Sequence, residues 1–192
     1  MWTLVIFGII SALIILLSWR TLWNFTSHGF YRFFCWECIA WLASANYSYW
    51  FKNPFQVKQI FSWIFLITSA YLIIAGILMM KKYGKPKKGK REKELYQFES
   101  TSIMVTKGIF RHIRHPLYSS LLFLTWGIFL KNATLPLLIV SFTSTFFILI
   151  TAWYDEKECI SFFGLEYREY MKKTKKFIPF LFWWFAINSN WM

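Results

Sequence analysis

Long apolar runs separated by short polar turns dominate the sequence. Four such runs cover about residues 2–19, 60–80, 116–130 and 135–154, and none of them contains a charged residue. A helix needs about 18 or more consecutive apolar residues to cross a bilayer. Most of these runs approach or exceed that length, so the pattern predicts membrane-spanning helices.

A further run, over about residues 30–51, is long enough to span a membrane but is interrupted by polar groups. It contains Arg32, Glu37 and Asn46 among several aromatic residues. Polar side chains within a span are costly and usually face the interior of a helix bundle or a cavity. With this run included, the sequence predicts an all-α polytopic membrane bundle of about five transmembrane helices.

Two segments differ sharply in composition from the spans. Residues 81–93 read KKYGKPKKGKREK, a composition typical of a solvated basic loop on the cytoplasmic side. Residues 155–176 alternate charged with aromatic residues and are interrupted at Gly164, which predicts a C-terminal amphipathic helix at the membrane interface. The aromatic stretch from Phe177 is too short to span, and we expect it to pack at headgroup depth.

The distribution of charge predicts an orientation. The two regions richest in Lys and Arg follow the third and fifth spans, so they lie on one face, which the positive-inside rule makes cytoplasmic. The N-terminus is then outside and the C-terminus inside. We expect a single membrane domain over residues 1–192, made of a three-span part (1–80), a basic loop (81–115) and a C-terminal part (116–192).

Composition supports this picture. The chain is 57% hydrophobic and 23% aromatic with a net charge of +13, whereas a soluble domain carries more charge and fewer aromatic residues. Because the lysines lie between spans, membrane lipids are the expected partner of this charge, and we expect no nucleic acid and no obligate protein partner. The first span lacks a basic leader and a small-residue cleavage site, so we expect no cleaved signal peptide.

A cationic corner precedes the fourth span, in the segment GIFRHIRHPLY over residues 108–118. Arg114 and His115 stand directly before Pro116, which suits the first turn of a helix because its missing N–H costs nothing there. Free N–H groups and the positive end of the helix dipole favour an anion at such a place. The segment is therefore a candidate grip for a carboxylate or phosphate. The alternative is that basic residues flank a membrane helix for topological reasons alone.

An acidic group, Asp155, Glu156 and Glu158, follows the fifth span. Spans four and five form a predicted hairpin, so this group returns to the face where Arg114 and His115 stand. Opposite charges would then meet in one pocket at the membrane interface. Such a pocket would suit a zwitterion, with its ammonium or sulfonium beside the carboxylates and its carboxylate beside the cations. Alternatively, the acidic residues pair with lysines of the tail or cap the amphipathic helix.

Two other constellations are less favoured. Cys35 and Cys38 form a CxxC pair that suits thiol exchange, but cysteine is also common in buried helices and no further cysteines stand in a neighbouring loop. His112 and His115 have a spacing that allows metal binding. Pro116 makes a regular helix through both histidines improbable, so we predict no metal.

Taken together, these pieces resemble the isoprenylcysteine carboxyl methyltransferase and phospholipid methyltransferase group of membrane enzymes. The family pattern is a Leu-Val-x-x-Gly-x-Tyr lead-in, Arg-His-Pro-x-Tyr, a two-span hairpin, a Glu-Glu pair, and Phe-Gly-x-x-Tyr-x-x-Tyr before a proline. The chain follows this order over about residues 98–180. The matching positions are Met104, Val105, Gly108, Phe110, Arg114, His115, Pro116, Tyr118, Asp155, Glu156, Phe163, Gly164, Tyr167, Tyr170 and Pro179.

The resemblance implies methyl transfer from S-adenosyl-L-methionine to a lipid or prenylated acceptor at the cytoplasmic face, without a Rossmann domain. It implies catalytic roles for Arg114, His115 and Glu156. The positions it implies for cofactor binding are Glu99, Val105, Gly108, Arg114, His115, Tyr118, Asp155 and Glu156.

The chain departs from the family pattern at four places, one of which is Ser120, where many relatives have a glycine. Phe110 replaces a tyrosine, Asp155 replaces a glutamate, and residues 151–154 read Thr-Ala-Trp-Tyr where relatives often carry an arginine. The acceptor, an amine or a carboxylate, stays open. The alternatives to a methyltransferase are a membrane NADPH-dependent reductase of sterol-reductase-like fold and a non-catalytic polytopic membrane protein.

Overall fold

The computed structural model describes residues 2–84 and 103–178. The basic residues 85–93, Glu99 and the aromatic end from Pro179 lie outside this part of the chain. The helices in these two ranges are α1 (Trp2–Ser18), α2 (His28–Ala45), α3 (Val57–Tyr83), α4 (Pro116–Phe129), α5 (Leu135–Phe163) and α6 (Leu165–Lys173). These ranges contain no β-strand, only an isolated bridge between Ile113 and Lys175. The all-α prediction is confirmed.

The chain clusters into two compact units. The first comprises Met1–Tyr71 and Ser120–Asp155, and the second comprises Leu72–Ser119 and Glu156–Met192. The helices α3, α4 and α5 each contribute residues to both units. The residues that position the candidate site belong to the second unit.

The helix surfaces indicate a membrane protein. Helices α3 and α5, with 27 and 29 residues, are long and apolar enough to cross a bilayer, whereas α1 and α4 are apolar but shorter. No residue of α1 is buried, and large apolar side chains along α1, α3 and α5 stay exposed, among them Leu4, Leu16, Ile67 and Phe146. Continuous apolar surfaces of this kind suit lipid rather than water. The count of five spans stays a prediction.

Two helix boundaries differ from those predicted. The run predicted over residues 30–51 forms α2 only as far as Ala45, and a short 3₁₀ turn, Tyr47–Tyr49, follows. Asn46 follows the last residue of α2 with a φ of −100° and a ψ of 4°, and its buried side chain donates from Nδ2 to the carbonyl oxygen of Ile128 at 3.0 Å. In contrast, α5 continues past the predicted end at residue 154 to Phe163.

Gly164 explains the second difference. It has a φ of +62°, which L side chains adopt at a cost, so it ends α5 and lets α6 start in a new direction. The amphipathic helix expected over residues 155–176 is therefore divided. Its first part lengthens α5, and its second part is α6 (Leu165–Lys173).

Small and hydroxylated residues join the helices of the first unit. Ser62 donates to the carbonyl oxygen of Gly127 at 2.6 Å, and Ser69 donates to that of Ser120 at 2.8 Å. A Cβ added at Gly127 would lie 3.0 Å from the Leu66 side chain, so the two backbones approach closely. Close approach at small residues is the usual way in which membrane helices associate.

Candidate active site

The segment before α4 turns tightly at Gly108. This glycine has a φ of +61°, and a Cβ added to it would lie 2.6 Å from the sulfur of Met79. Gly108 starts a 3₁₀ turn, Gly108–Arg111, and α4 then begins at Pro116 as the sequence predicts. The turn places Arg114 and the buried His115 immediately before the first helical residue.

The segment after α6 pairs with this corner. The N–H of Arg114 donates to the carbonyl oxygen of Lys175 at 2.8 Å, and that of His115 donates to Lys176 at 3.2 Å. In return, the N–H of Lys175 donates to the carbonyl oxygen of His112 at 3.0 Å. Ser119 also donates to the carbonyl oxygen of Phe177 at 2.7 Å. We call residues 174–177 the return segment. It lies beside residues 112–115 and pairs with them in parallel over a short length.

Glu156 is the centre of the charged groups in the second unit. Its Oε1 accepts a hydrogen bond from Nε of Arg114 at 3.0 Å and lies 3.0 Å from the Nη2 of the same residue. Nε2 of His115 lies 3.2 Å from Oε1, and Nζ of Lys176 lies 3.0 Å from Oε2. Because the Glu156 side chain is only 9% exposed, water screens these interactions weakly.

Arg114 also has a structural task. Its Nη1 donates to the carbonyl oxygens of Met171 at 3.1 Å and Thr174 at 2.5 Å. These carbonyls lie in and just after the last turn of α6, where helix carbonyls lack intrahelical partners. A cation there also complements the helix dipole. Arg114 therefore joins α6 to Glu156 through one rigid guanidinium.

Aromatic residues complete the surroundings. The His115 ring stacks on Tyr118 with 5.3 Å between centroids, and it lies 6.1 Å from the Phe177 ring. The hydroxyl of Tyr170 in α6 donates to the carbonyl oxygen of Phe110 at 2.6 Å and fixes the lead-in turn. Burial raises the pKa of Tyr170, so its hydroxyl keeps its proton at neutral pH and stays a donor.

The structure brings together four of the predicted site residues: Arg114, His115 and Glu156 in direct contact, and Tyr118 against His115. Val105 is buried and Gly108 is exposed in the same unit. Asp155 precedes Glu156 in α5 and is half-buried, while Glu99 lies outside the described residues.

Lys176 is the residue that sequence reasoning did not single out. The pairing of an acidic residue with a lysine of the tail was set out only as an alternative to cofactor binding, and no particular lysine was named. The contact between Lys176 and Glu156 is of this kind. One feature of the sequence could have pointed to this lysine: Lys175 and Lys176 stand directly before the aromatic stretch that begins at Phe177.

The residues of the two less favoured constellations lie within the described part of the chain. Cys35 and Cys38 are both free thiols, and Sγ of the buried Cys35 lies 3.7 Å from the Ser144 hydroxyl, as a small packing residue would. His112 is exposed, whereas His115 is buried against Glu156.

The sequence model of one protein family matches a large part of the chain. It describes phospholipid methyltransferases and matches residues 64–164, more than half of the chain, including Arg114, His115 and Glu156. The chain belongs to the phospholipid methyltransferase family. The predicted resemblance is confirmed at this level, and α6 and the return segment lie beyond the matched range.

A second comparison points to the same chemistry. The chain is 33% identical over 73 residues to methanethiol S-methyltransferase from Pseudomonas deceptionensis. This alignment covers 38% of the chain and 27% of the relative, so the chain spans about a quarter of that protein's length. No solved structure matches the chain. Both comparisons are therefore with methyltransferases.

Proposed function

We propose that the protein transfers a methyl group from S-adenosyl-L-methionine to an acceptor supplied from the membrane. The observation that carries the proposal is the convergence of Arg114, His115 and Lys176 on the buried Glu156 within a chain of this family. In this proposal the site faces the cytoplasm, the N-terminus lies outside and the C-terminus lies inside.

The residues present fit the methionine end of this cofactor. That end carries a carboxylate, an ammonium and the reactive sulfonium, and the cluster offers charged groups of both signs. Arg114, His115 and Lys176 suit the carboxylate, and Glu156 suits the ammonium or sulfonium. The lead-in residues Glu99, Val105, Gly108 and Tyr118, with Asp155, are proposed as further contacts. When bound, the cofactor supplies the electrophilic methyl group.

The chain's own residues would contribute alignment and exclusion of water. Methyl transfer requires an in-line approach of acceptor and methyl carbon, so rigid positioning supplies much of the rate. The hydrogen bonds from Arg114 to α6 and to the return segment provide this rigidity. If the acceptor is an amine or a thiol, a base must take its proton, and Glu156 and His115 are the candidates.

The acceptor is open among three chemical classes. The family's description favours the amine of a phospholipid headgroup, and we take this as the first candidate. A carboxylate acceptor on a prenylated cysteine fits less well, because residues 151–154 lack the arginine that would orient it. The named activity of the bacterial relative favours a small thiol as the second candidate.

Radiolabelled S-adenosyl-L-methionine separates these candidates. The purified protein is incubated with total lipid extract or with methanethiol, and the products are tested for volatility and for stability in base. A base-stable lipid product indicates N-methylation, a base-labile one indicates a methyl ester, and a volatile product indicates S-methylation. Tight binding of NADPH without binding of S-adenosyl-L-methionine would instead favour the reductase.

The matched variants are Glu156→Gln and Lys172→Gln. We expect Glu156→Gln to lower kcat/KM by about a hundredfold or more, the usual effect of losing a charged group that acts at the reacting centre. Lys172 is exposed and pairs only with Glu169 among the described residues, so its variant should keep full activity. Equal activity of both variants would remove Glu156 from the mechanism.

A further inference from the structure

A second polar site lies in the first unit, beside the turns that follow α2 and α4. A cavity of about 220 Å³ opens there. The residues that give it its character are Tyr49, Lys52, Gln56, Lys58, Gln59 and Lys131. None of them belongs to the candidate active site.

The cavity carries positive charge without a counter-charge. Three lysines line it and, within the part of the chain that the structure describes, no carboxylate does. The sequence also contains no Asp or Glu between Glu37 and Glu92, or between Glu99 and Asp155. The two segments that build the cavity therefore cannot neutralise it from within.

Lys131 is the fixed part of this site. The residue is only 4% exposed, its Nζ donates to Oε1 of Gln59 at 3.1 Å, and the same Nζ lies 3.7 Å from the centre of the Trp63 ring. An amide dipole and an aromatic face attract a cation, but neither supplies a full negative charge. A buried ammonium in this state gains from an anion placed beside it.

The turn beside the cavity indicates where that anion comes from. Phe51 is 78% exposed and Phe55 is 90% exposed, and they flank Asn53, whose φ is +48°. Tyr47 stands in the same stretch and is 44% exposed, and tyrosine beside the ends of membrane helices is enriched at the level of the lipid headgroups. The position of these aromatic residues favours a headgroup phosphate over a free phosphate from solution.

We propose that this cavity binds the headgroup phosphate of an anionic phospholipid, with Lys52, Lys58 and Lys131 as its cationic ligands. A zwitterionic headgroup suits the site less well, because none of the described lining residues has a carboxylate to meet its choline or ethanolamine cation. This inference does not depend on the proposed methyltransferase activity.

The test compares lipids on the detergent-purified full chain by native mass spectrometry. Phosphatidylglycerol should be retained more strongly than phosphatidylcholine of the same acyl composition. The double variant Lys52→Gln/Lys58→Gln should weaken phosphatidylglycerol retention by about thirtyfold, since a lysine near an anionic surface contributes about fivefold. Both side chains are exposed, so the variant should fold, and its melting temperature without added lipid checks this.

Lys81→Gln/Lys82→Gln is the control, because it removes the same charge from the exposed end of α3. This control should change retention much less. Raising salt from about 0.05 to about 0.5 M should weaken retention by the wild type, since salt screens such contacts. Equal retention of both lipids, equal effects of the two double variants, or competition by inorganic phosphate as strong as by phosphatidylglycerol would overturn the proposal.

Discussion

Glu156 contacts cationic groups through both carboxylate oxygens. The partners of Oε1 could be predicted from the sequence, whereas the partner of Oε2 could not. The meeting of Arg114 and His115 with Glu156 could be predicted, because a hairpin of two helices returns the chain to its starting face. The contact with Lys176 could not be assigned, because it depends on the path of four residues after α6. Hydrogen-bonded pairing over so short a segment leaves no periodic pattern in a sequence.

At the same scale, Lys131 leads to a prediction on pH and stability. Burial lowers the pKa of Lys131 from its ordinary value of 10.5. The unfolded chain then binds more protons than the folded one between the lowered and the ordinary value, so the cost of burying this ammonium falls as pH rises through that window. Relative to Lys131→Met, the wild type should gain melting temperature as the pH rises towards the ordinary pKa of 10.5.

The comparison with Lys131→Met removes the contribution of groups that both proteins share, among them Lys52 and Lys58, which line the same cavity. Thermal unfolding in one detergent, followed by tryptophan fluorescence, measures the difference. A wild-type advantage that stays constant or shrinks with rising pH would contradict the assigned environment of Lys131.

At the scale of elements, helix starts were easier to predict than helix ends. Pro116 starts α4 as predicted, because proline is favoured in the first helical turn and its effect is local. The end of α2 at Ala45 coincides instead with the hydrogen bond of Asn46 to Ile128, far along the chain. No local pattern carries that information.

The turn at Gly108 leads to a prediction on the stability of the protein. In Gly108→Ala the methyl group would meet the Met79 sulfur, and the positive φ would strain any L residue. We expect a loss of about 2 kcal/mol of stability, which for a chain of this length lowers the melting temperature by roughly 4–8 °C. Gly8→Ala is the control, because it has open space around its Cβ within α1. Equal melting temperatures of the two variants would show that the turn is not constrained as described.

At the scale of the whole molecule, the sequence predicted the class better than the arrangement. Long uncharged runs predicted α1, α3, α4 and α5, and two of these helices meet both the length and the apolarity of a membrane span. The number of spans and their orientation follow from charge in loops, much of which belongs to residues 85–102. These residues lie outside the described ranges, so the orientation stays a prediction.

Cysteine labelling tests the orientation. With the three native cysteines replaced, Lys172→Cys introduces one thiol on the exposed surface of α6. A membrane-impermeant maleimide should label it only after the cells are permeabilised, because the proposed orientation places α6 inside. Full labelling of intact cells would show that α6 lies outside and would contradict the proposed orientation.

Equilibrium binding of S-adenosylhomocysteine, measured by calorimetry on the detergent-purified protein, tests the central claim most directly. The wild type and Lys172→Gln should bind it with equal affinity. Arg114→Lys and Glu156→Gln should bind it at least about tenfold more weakly, the loss expected for one charged hydrogen bond, in samples that melt cooperatively. Unchanged affinity in a folded Glu156→Gln variant would contradict the account, because the buried cluster would then hold no methyl donor.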